Sequence, residues 1–368
     1  MEWSLPHDVV ELIMERLPVN PLLRYKAVSK QWQTTIESPF FKERQLKHRQ
    51  QTGDPDVLMA CRHPYGIKNQ DTEPLRTLVL GSSSSVEIPI PWEQENTLLF
   101  LNYKSSCDGL VCFNCVRKPA FVINPTTRWH RTLPLCKLQQ LVADLDDTVD
   151  KFEFSFYNVG FGKDKFTGTY KLVWLYSSGL EQDANTICEV FDFSTNAWSY
   201  VTPAPPYGVI DPVYADGSLH WFVEREETKL VSFDLHTEAF QVVSKAPFAI
   251  NLHPYDIVMC NLDNRLCVSE MKWPNQVIWS FNSGDKTWNK MCSIDFDLVS
   301  PLFNIPHDKV SILPLALLGK EKKKLLFCLR DFGQTLLIHD LVTKSYEAAF
   351  LADFIVYPVC YFPSLISI

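Results

Sequence analysis

One short pattern recurs five times in this chain and restricts its fold more than any other feature. A run of β-branched and aromatic residues ends on Asp or Asn, a Thr or Asp follows three residues later, and an aromatic comes five or six residues after the first. The instances are Phe121-Val122-Ile123-Asn124 with Thr127 and Trp129, Val190-Phe191-Asp192 with Thr195 and Trp198, and Ser232-Phe233-Asp234 with Thr237 and Phe240. Ser280-Phe281-Asn282 with Asp285 and Trp288, and Ile338-His339-Asp340 with Thr343 and Tyr346, complete the set. The short polar side chain caps the backbone N–H groups of a turn, and the aromatic re-enters the next strand facing the core. Each unit has a further strand upstream, often opened by a tight turn, as in Cys107-Asp108-Gly109-Leu110-Val111 and Asp216-Gly217-Ser218-Leu219.

The five anchors lie 68, 42, 48 and 58 residues apart, a spacing that fits one antiparallel blade per unit. The segment from Leu75 to Pro91 supplies a sixth blade, and Phe354-Ile355-Val356-Tyr357 closes the ring by pairing with that first blade. Closure removes exposed strand edges and so favours a propeller over an open sandwich. The expected fold is mainly β, α+β by content, with a propeller of about six blades over residues 55–368.

The first 45 residues read differently. Pro6 suits a first helical turn and Asp8 sits where the helix dipole favours negative charge. Val9, Leu12, Ile13 and Leu17 then follow at helical spacing, and Pro18 stops the helix. Asn20 and Pro21 open a second helix through Leu22, Leu23 and Ala27. Ser29 caps a third that carries Trp32 and Ile36 and ends at Ser38-Pro39. Three helices of about ten residues are marginal alone. The block carries more apolar surface than so small a unit can hide, and each side chain buried against a partner adds about 1.5–3 kcal/mol.

This block resembles an F-box. The resemblance runs without gaps through Leu5-Pro6, Val9-Val10, Ile13-Met14, Arg16-Leu17-Pro18-Val19, Leu22 to Lys30, Trp32 and Pro39-Phe40-Phe41. It implies a three-helix F-box over residues 1–47 that docks on a Skp-type adaptor and, through it, on a cullin. Leu5, Pro6, Ile13, Leu17, Pro18, Leu22, Leu23, Val28 and Trp32 would then lie at or under that interface. The second region resembles the kelch-like F-box-associated domain of plant F-box proteins. The resemblance rests on Asp108-Gly109-Leu110-Val111-Cys112, Ile123-Asn124-Pro125-Thr126-Thr127, Gly160-Phe161-Gly162 through Val173, Gly217-Ser218-Leu219-His220-Trp221 and Ser232-Phe233-Asp234 through Phe240. That family more often has Tyr where this chain has Lys163, which implies a local surface difference. The resemblances together imply a non-catalytic substrate adaptor of an SCF ubiquitin ligase, bringing an unknown protein substrate to ubiquitination and proteasomal degradation.

Composition narrows the alternatives. A net charge of −8 argues against non-specific nucleic-acid binding. The absence of a basic-then-apolar leader and of any apolar run near 18 residues argues against secretion and membrane spanning, so the expected location is intracellular, in cytoplasm or nucleus. Eleven cysteines without framework spacing read as small buried hydrophobes. Cys107, Cys112 and Cys115 have the spacing that begins an iron–sulfur ligand set, but they fall on a hairpin strand. The nine histidines lack ligand spacing, so no metal or cofactor is expected. Lys320 to Lys324 read as a charged hairpin tip, and Trp92 and Pro203 to Tyr207 as aromatic-rich candidate contacts. The rival reading is a propeller scaffold or glycan-processing enzyme whose F-box-like segment recruits no cullin.

Overall fold

The computed structural model describes residues 5–61, 75–80, 85–88, 102–143, 157–177, 186–204, 212–223, 229–245, 247–248, 257–303, 311–329, 335–351 and 355–368. Trp92 and residues 205–207 lie outside these.

Four helices come first: α1 (His7–Glu15), α2 (Val19–Tyr25), α3 (Lys30–Glu37) and α4 (Pro39–Thr52). Ser29 caps α3 as expected, its Oγ accepting the N–H of Trp32 at 3.2 Å. Three details differ from the sequence reading. Pro6 stands just outside α1 rather than in its first turn, and α2 starts at Val19 behind Pro18, with Asn20 making no cap. The block also holds a fourth helix. Ser38-Pro39 ends α3 and starts α4 in one stroke, because Pro at a first helical position loses no hydrogen bond and Ser38 Oγ accepts the N–H of Phe41 at 3.2 Å. Helix α4 leaves no apolar period in the sequence because it is polar, with only Phe41, Gln45 and Leu46 buried.

The first blade combines β1 (Asp56–Cys61), β2 (Leu75–Leu78) and β3 (Ser85–Ile88) with a strand from far along the chain. The second holds β4 (Asn102–Cys107), β5 (Leu110–Cys115), β6 (Lys118–Asn124) and β7 (Trp129–Thr132), followed by α5 (Lys137–Ala143). The third holds β8 (Tyr157–Lys163), β9 (Tyr170–Ser177), β10 (Thr186–Asp192) and β11 (Ala197–Val201). The fourth holds β12 (Val213–Ala215), β13 (Ser218–Val223), β14 (Lys229–Asp234) and β15 (Ala239–Lys245). The fifth holds β16 (Ile257–Leu262), β17 (Arg265–Lys272), β18 (Asn275–Asn282) and β19 (Thr287–Asp295), followed by α6 (Phe296–Phe303). The sixth holds β20 (Ile312–Leu318), β21 (Lys324–Leu329), β22 (Thr335–Asp340) and β23 (Tyr346–Leu351). Finally β24 (Ile355–Tyr361) pairs antiparallel with β1, setting Asp56 opposite Tyr361 and Leu58 opposite Val359. Six four-stranded antiparallel sheets result.

The strands β24, β4, β8, β12, β16 and β20 touch one another in that cyclic order and form the inner ring. Between blades the sheets bury Trp174, Trp221, Phe113, Phe121, Phe191 and Phe233 almost completely. The closed six-bladed propeller is the fold that the repeat predicts.

The repeated turn has the expected chemistry at all five positions. Oδ1 of Asn124, Asp192, Asp234 and Asp340 accepts the backbone N–H groups two and three residues on, and Oδ1 of Asn282 accepts that of Gly284. The returning aromatic stands across the strand pair from the residue before the anchor in four blades: Phe191 with Trp198, Phe233 with Phe240, Phe281 with Trp288 and His339 with Tyr346. Ring centroids in these pairs are 4.3 to 5.2 Å apart, so each of these four turns is stapled by a cross-strand aromatic contact.

In an up-and-down blade the first and third strands run toward the same end. The anchor turns therefore share one face of the propeller with the tight turns Asp108-Gly109, Asp216-Gly217 and Asp263-Asn264. That face meets α4 and residues 362–368, which follow β24.

Candidate functional site

The helical module has a small interior of Met14, Val19, Leu22, Ile36 and Phe41, joined by Leu365 from beyond β24. Val10, Leu17, Leu23, Tyr25 and Trp32 pack partly buried against it, with Trp32 edge-on to Tyr25 at 5.6 Å. Helix α1 is tied to α4 by Arg44, which pairs with Glu11 at 3.0 Å and with Glu15. His7 is joined to Thr35 of α3 across 2.9 Å.

With Val10 and Met14 turned inward, the other side of α1 is left in water. Leu5, Val9, Leu12 and Ile13 are 59, 40, 51 and 48% exposed, and Val28, between α2 and α3, is 60% exposed. Val9, Leu12 and Ile13 share one face of α1, and Leu5 lies just before its start, so this is a stripe rather than a scatter. Of the nine interface positions read from sequence, Leu5, Pro6, Ile13, Pro18 and Val28 lie at the surface. Leu17, Leu23 and Trp32 are half-buried supports, and Leu22 is fully interior. Val9 and Leu12 belong to the exposed stripe but are missing from that set. Their spacing with Ile13 was the signal that included them.

In the propeller, several buried polar groups are paired within or between blades. Asp164, buried in the turn between β8 and β9, accepts the N–H groups of Phe166 and Thr167, the hydroxyl of Thr167 at 2.6 Å, and Nδ1 of His236 at 3.0 Å. Burial pushes its pKa up, but these hydrogen bonds outweigh burial and hold the carboxyl well below the usual carboxylate range. Glu189 accepts the hydroxyl of Tyr176 and, at 2.9 Å, the N–H of Lys137, where its charge also favours the start of α5. Glu270 pairs with Lys272 at 2.7 Å.

The cysteine triplet divides between two interiors. Cys107 and Cys112 join one buried cluster and Cys115 another, as positions three apart on a strand must point to opposite faces. They cannot converge on one cluster of iron and sulfur. Lys320 to Lys324 sit at the β20–β21 hairpin tip, with Lys323 paired to Glu321 and Lys324 to Glu347 at 3.2 Å. Lys163 is not the simple surface difference expected from sequence. It is largely buried and bridges Asp108 at 3.1 Å to Glu43 of α4 at 3.2 Å, linking propeller and helices. No helix among the described residues is long and apolar enough to cross a membrane.

Known families match both regions. The F-box domain model matches residues 3–44, and the F-box associated beta propeller domain model matches residues 78–368. An F-box/LRR-repeat/kelch-repeat protein of Arabidopsis thaliana is 61% identical over 379 residues, covering 100% of this chain and 98% of its own. Two F-box proteins of the same plant are 51% identical over 388 residues (100% and 85% covered) and 47% identical over 403 residues (99% and 99%).

Proposed function

Because this chain belongs to the F-box proteins that carry an F-box associated β-propeller domain, we propose that it is a substrate-recognition subunit of an SCF-type cullin ubiquitin ligase. The helical module docks on a Skp-type adaptor and, through it, on a cullin. The propeller holds a target protein for ubiquitination inside the cell, and the subunit itself carries out no bond-making step.

The observation that carries this reading is the exposed stripe of α1. Leu5, Val9, Leu12 and Ile13, with Val28, have no cover among the described residues, and half-exposed aliphatic side chains gain about 1 kcal/mol or more each when a partner completes their burial. The target is proposed to sit on the propeller face away from α4. The helices and residues 362–368 occupy the face of the tight turns. The longer connections, such as those from Thr132 to Tyr157 and from Asp295 to Ile312, leave from the opposite end.

The test is co-purification of the intact chain with a Skp-type adaptor, then ubiquitin transfer in a complex reconstituted with a cullin. Adaptor binding that depends on residues 5–45, with transfer to a bound protein, supports the reading. Failure of the intact, folded chain to bind any Skp-type adaptor sinks it.

A further inference from the structure

The helical module does not close its interior from its own residues. After β24 leaves the inner ring at Tyr361, the chain crosses the turn face as a strap, residues 362–368, with Ser364, Leu365 and Ile366 all buried. Leu365 enters the helical interior beside Met14, Val19, Leu22, Ile36 and Phe41. Ile366, one residue on, enters the propeller interior beside Leu46, Cys107, Leu110 and Val122. Adjacent side chains of one strap therefore plug two different cores.

One fully buried side chain ties the strap down. Asn124 is the anchor of the second blade and is fully buried. Its Oδ1 serves its own turn like the other anchors, accepting from Thr126 and Thr127. Its Nδ2 donates outward to the carbonyl of Ser364 at 3.0 Å, the carbonyl of Ile366 at 2.9 Å and the hydroxyl of Ser364 at 3.2 Å. Gly109 makes room for the strap: a Cβ there would stand 2.3 Å from the carbonyl oxygen of Phe362, and its φ of 80° also suits glycine. Lys42 of α4 reaches Ser367 at 3.2 Å, and the Lys163–Glu43 pair flanks the junction.

We infer that Asn124 is a positioning residue: by clamping the strap it fixes the helical module at one orientation on the propeller. The clamp stands on the geometry alone. Its consequence for ubiquitin transfer rests on the adaptor reading above, since only there does a fixed angle set where a bound target meets the ligase.

Asn124→Asp isolates the clamp. The carboxylate still accepts from Thr126 and Thr127, but its second oxygen faces two carbonyl oxygens with no hydrogen between them. Asn282→Asp is the control, because Asn282 is an anchor with no strap contact in the structure. In the full chain, Asn124→Asp is expected to speed amide exchange of residues 364–366 and of α1 to α3 by about tenfold or more, with the inner strands still protected. The distance between spin labels on exposed Lys30→Cys and Lys286→Cys should be narrow in the parent and in Asn282→Asp, and broad in Asn124→Asp. Leu365→Ala should loosen α1 to α3 in the same way while leaving Asn124 in place. If Asn124→Asp and Leu365→Ala match the parent in both exchange and distance spread, the strap is not the coupler. Adaptor binding measured on the same proteins keeps the two readings apart: a parent that binds no adaptor removes the functional consequence, whatever the exchange and distance results say of the clamp.

Discussion

Helices α1 to α3 leave Leu5, Val9, Leu12, Ile13 and Val28 in water, whereas the propeller hides Trp174, Trp221, Phe113 and Phe233 almost entirely. Both regions are rich in aliphatic and aromatic residues, so composition does not make the difference. Closure does. Each blade finds most of its cover in the next blade, and β24 returns the last to the first, so the ring takes little from outside, chiefly Leu46 of α4 and Ile366. The helical module borrows Leu365 to complete its interior and still has an uncovered stripe. A region that remains apolar outside after its own core is satisfied has the geometry of one side of an interface.

The contrast breaks most completely if the ring is opened. A chain ending at Asp353 lacks β24 and the strap, exposing the edge of β1 and emptying both plugs. Its urea titration, followed by tryptophan fluorescence, should lose the cooperative transition altogether. The reverse case leaves the fold intact. Leu12→Asp with Ile13→Asp should keep the parent's urea midpoint yet weaken adaptor binding on the order of a thousandfold, because two carboxylates would have to be buried.

A subtler probe is pH. His220, on β13, is buried with Nε2 3.3 Å from the Ala215 carbonyl, and burial lowers its pKa to about 4 from 6.5. The folded state thus prefers the neutral ring. The stability this represents is complete above pH 6.5 and is lost as pH falls through 6.5 toward 4, on the order of 3 kcal/mol. His220→Gln should flatten that part of the stability profile relative to the parent in chemical denaturation across pH 4 to 7. The smallest expected effect belongs to one exposed turn. Asp340→Ala removes acceptors from Val342 and Thr343 and should cost about 1 kcal/mol by thermal unfolding, with adaptor binding unchanged.

Much of the propeller is legible in sequence because its information is local. An Asp or Asn, two backbone N–H groups and a returning aromatic all lie within about six residues of chain. The stripe on α1 is legible for the same reason, through helical spacing. What escapes is what tertiary contact alone decides. Helix α4 buries only Phe41, Gln45 and Leu46, too few to leave an apolar period in its sequence. The strap, Phe362-Pro363-Ser364-Leu365-Ile366-Ser367-Ile368, has no period, since its neighbouring side chains serve different cores. Asn124 looks like any other anchor until the strap arrives at its second polar atom. Lys163, read as a surface variation, joins two regions that lie far apart in sequence.

The pairing of β1 with β24 also sets a timetable. Residues 56–61 leave the ribosome long before residues 355–361, an interval of roughly 15–60 s at ordinary elongation rates. Throughout that interval β1 presents a bare edge and the helical core lacks Leu365. A nascent chain therefore spends most of its synthesis unable to complete either region, and a prematurely stopped one never does. Such fragments, with a bare strand edge and an open core, are candidates for chaperone capture.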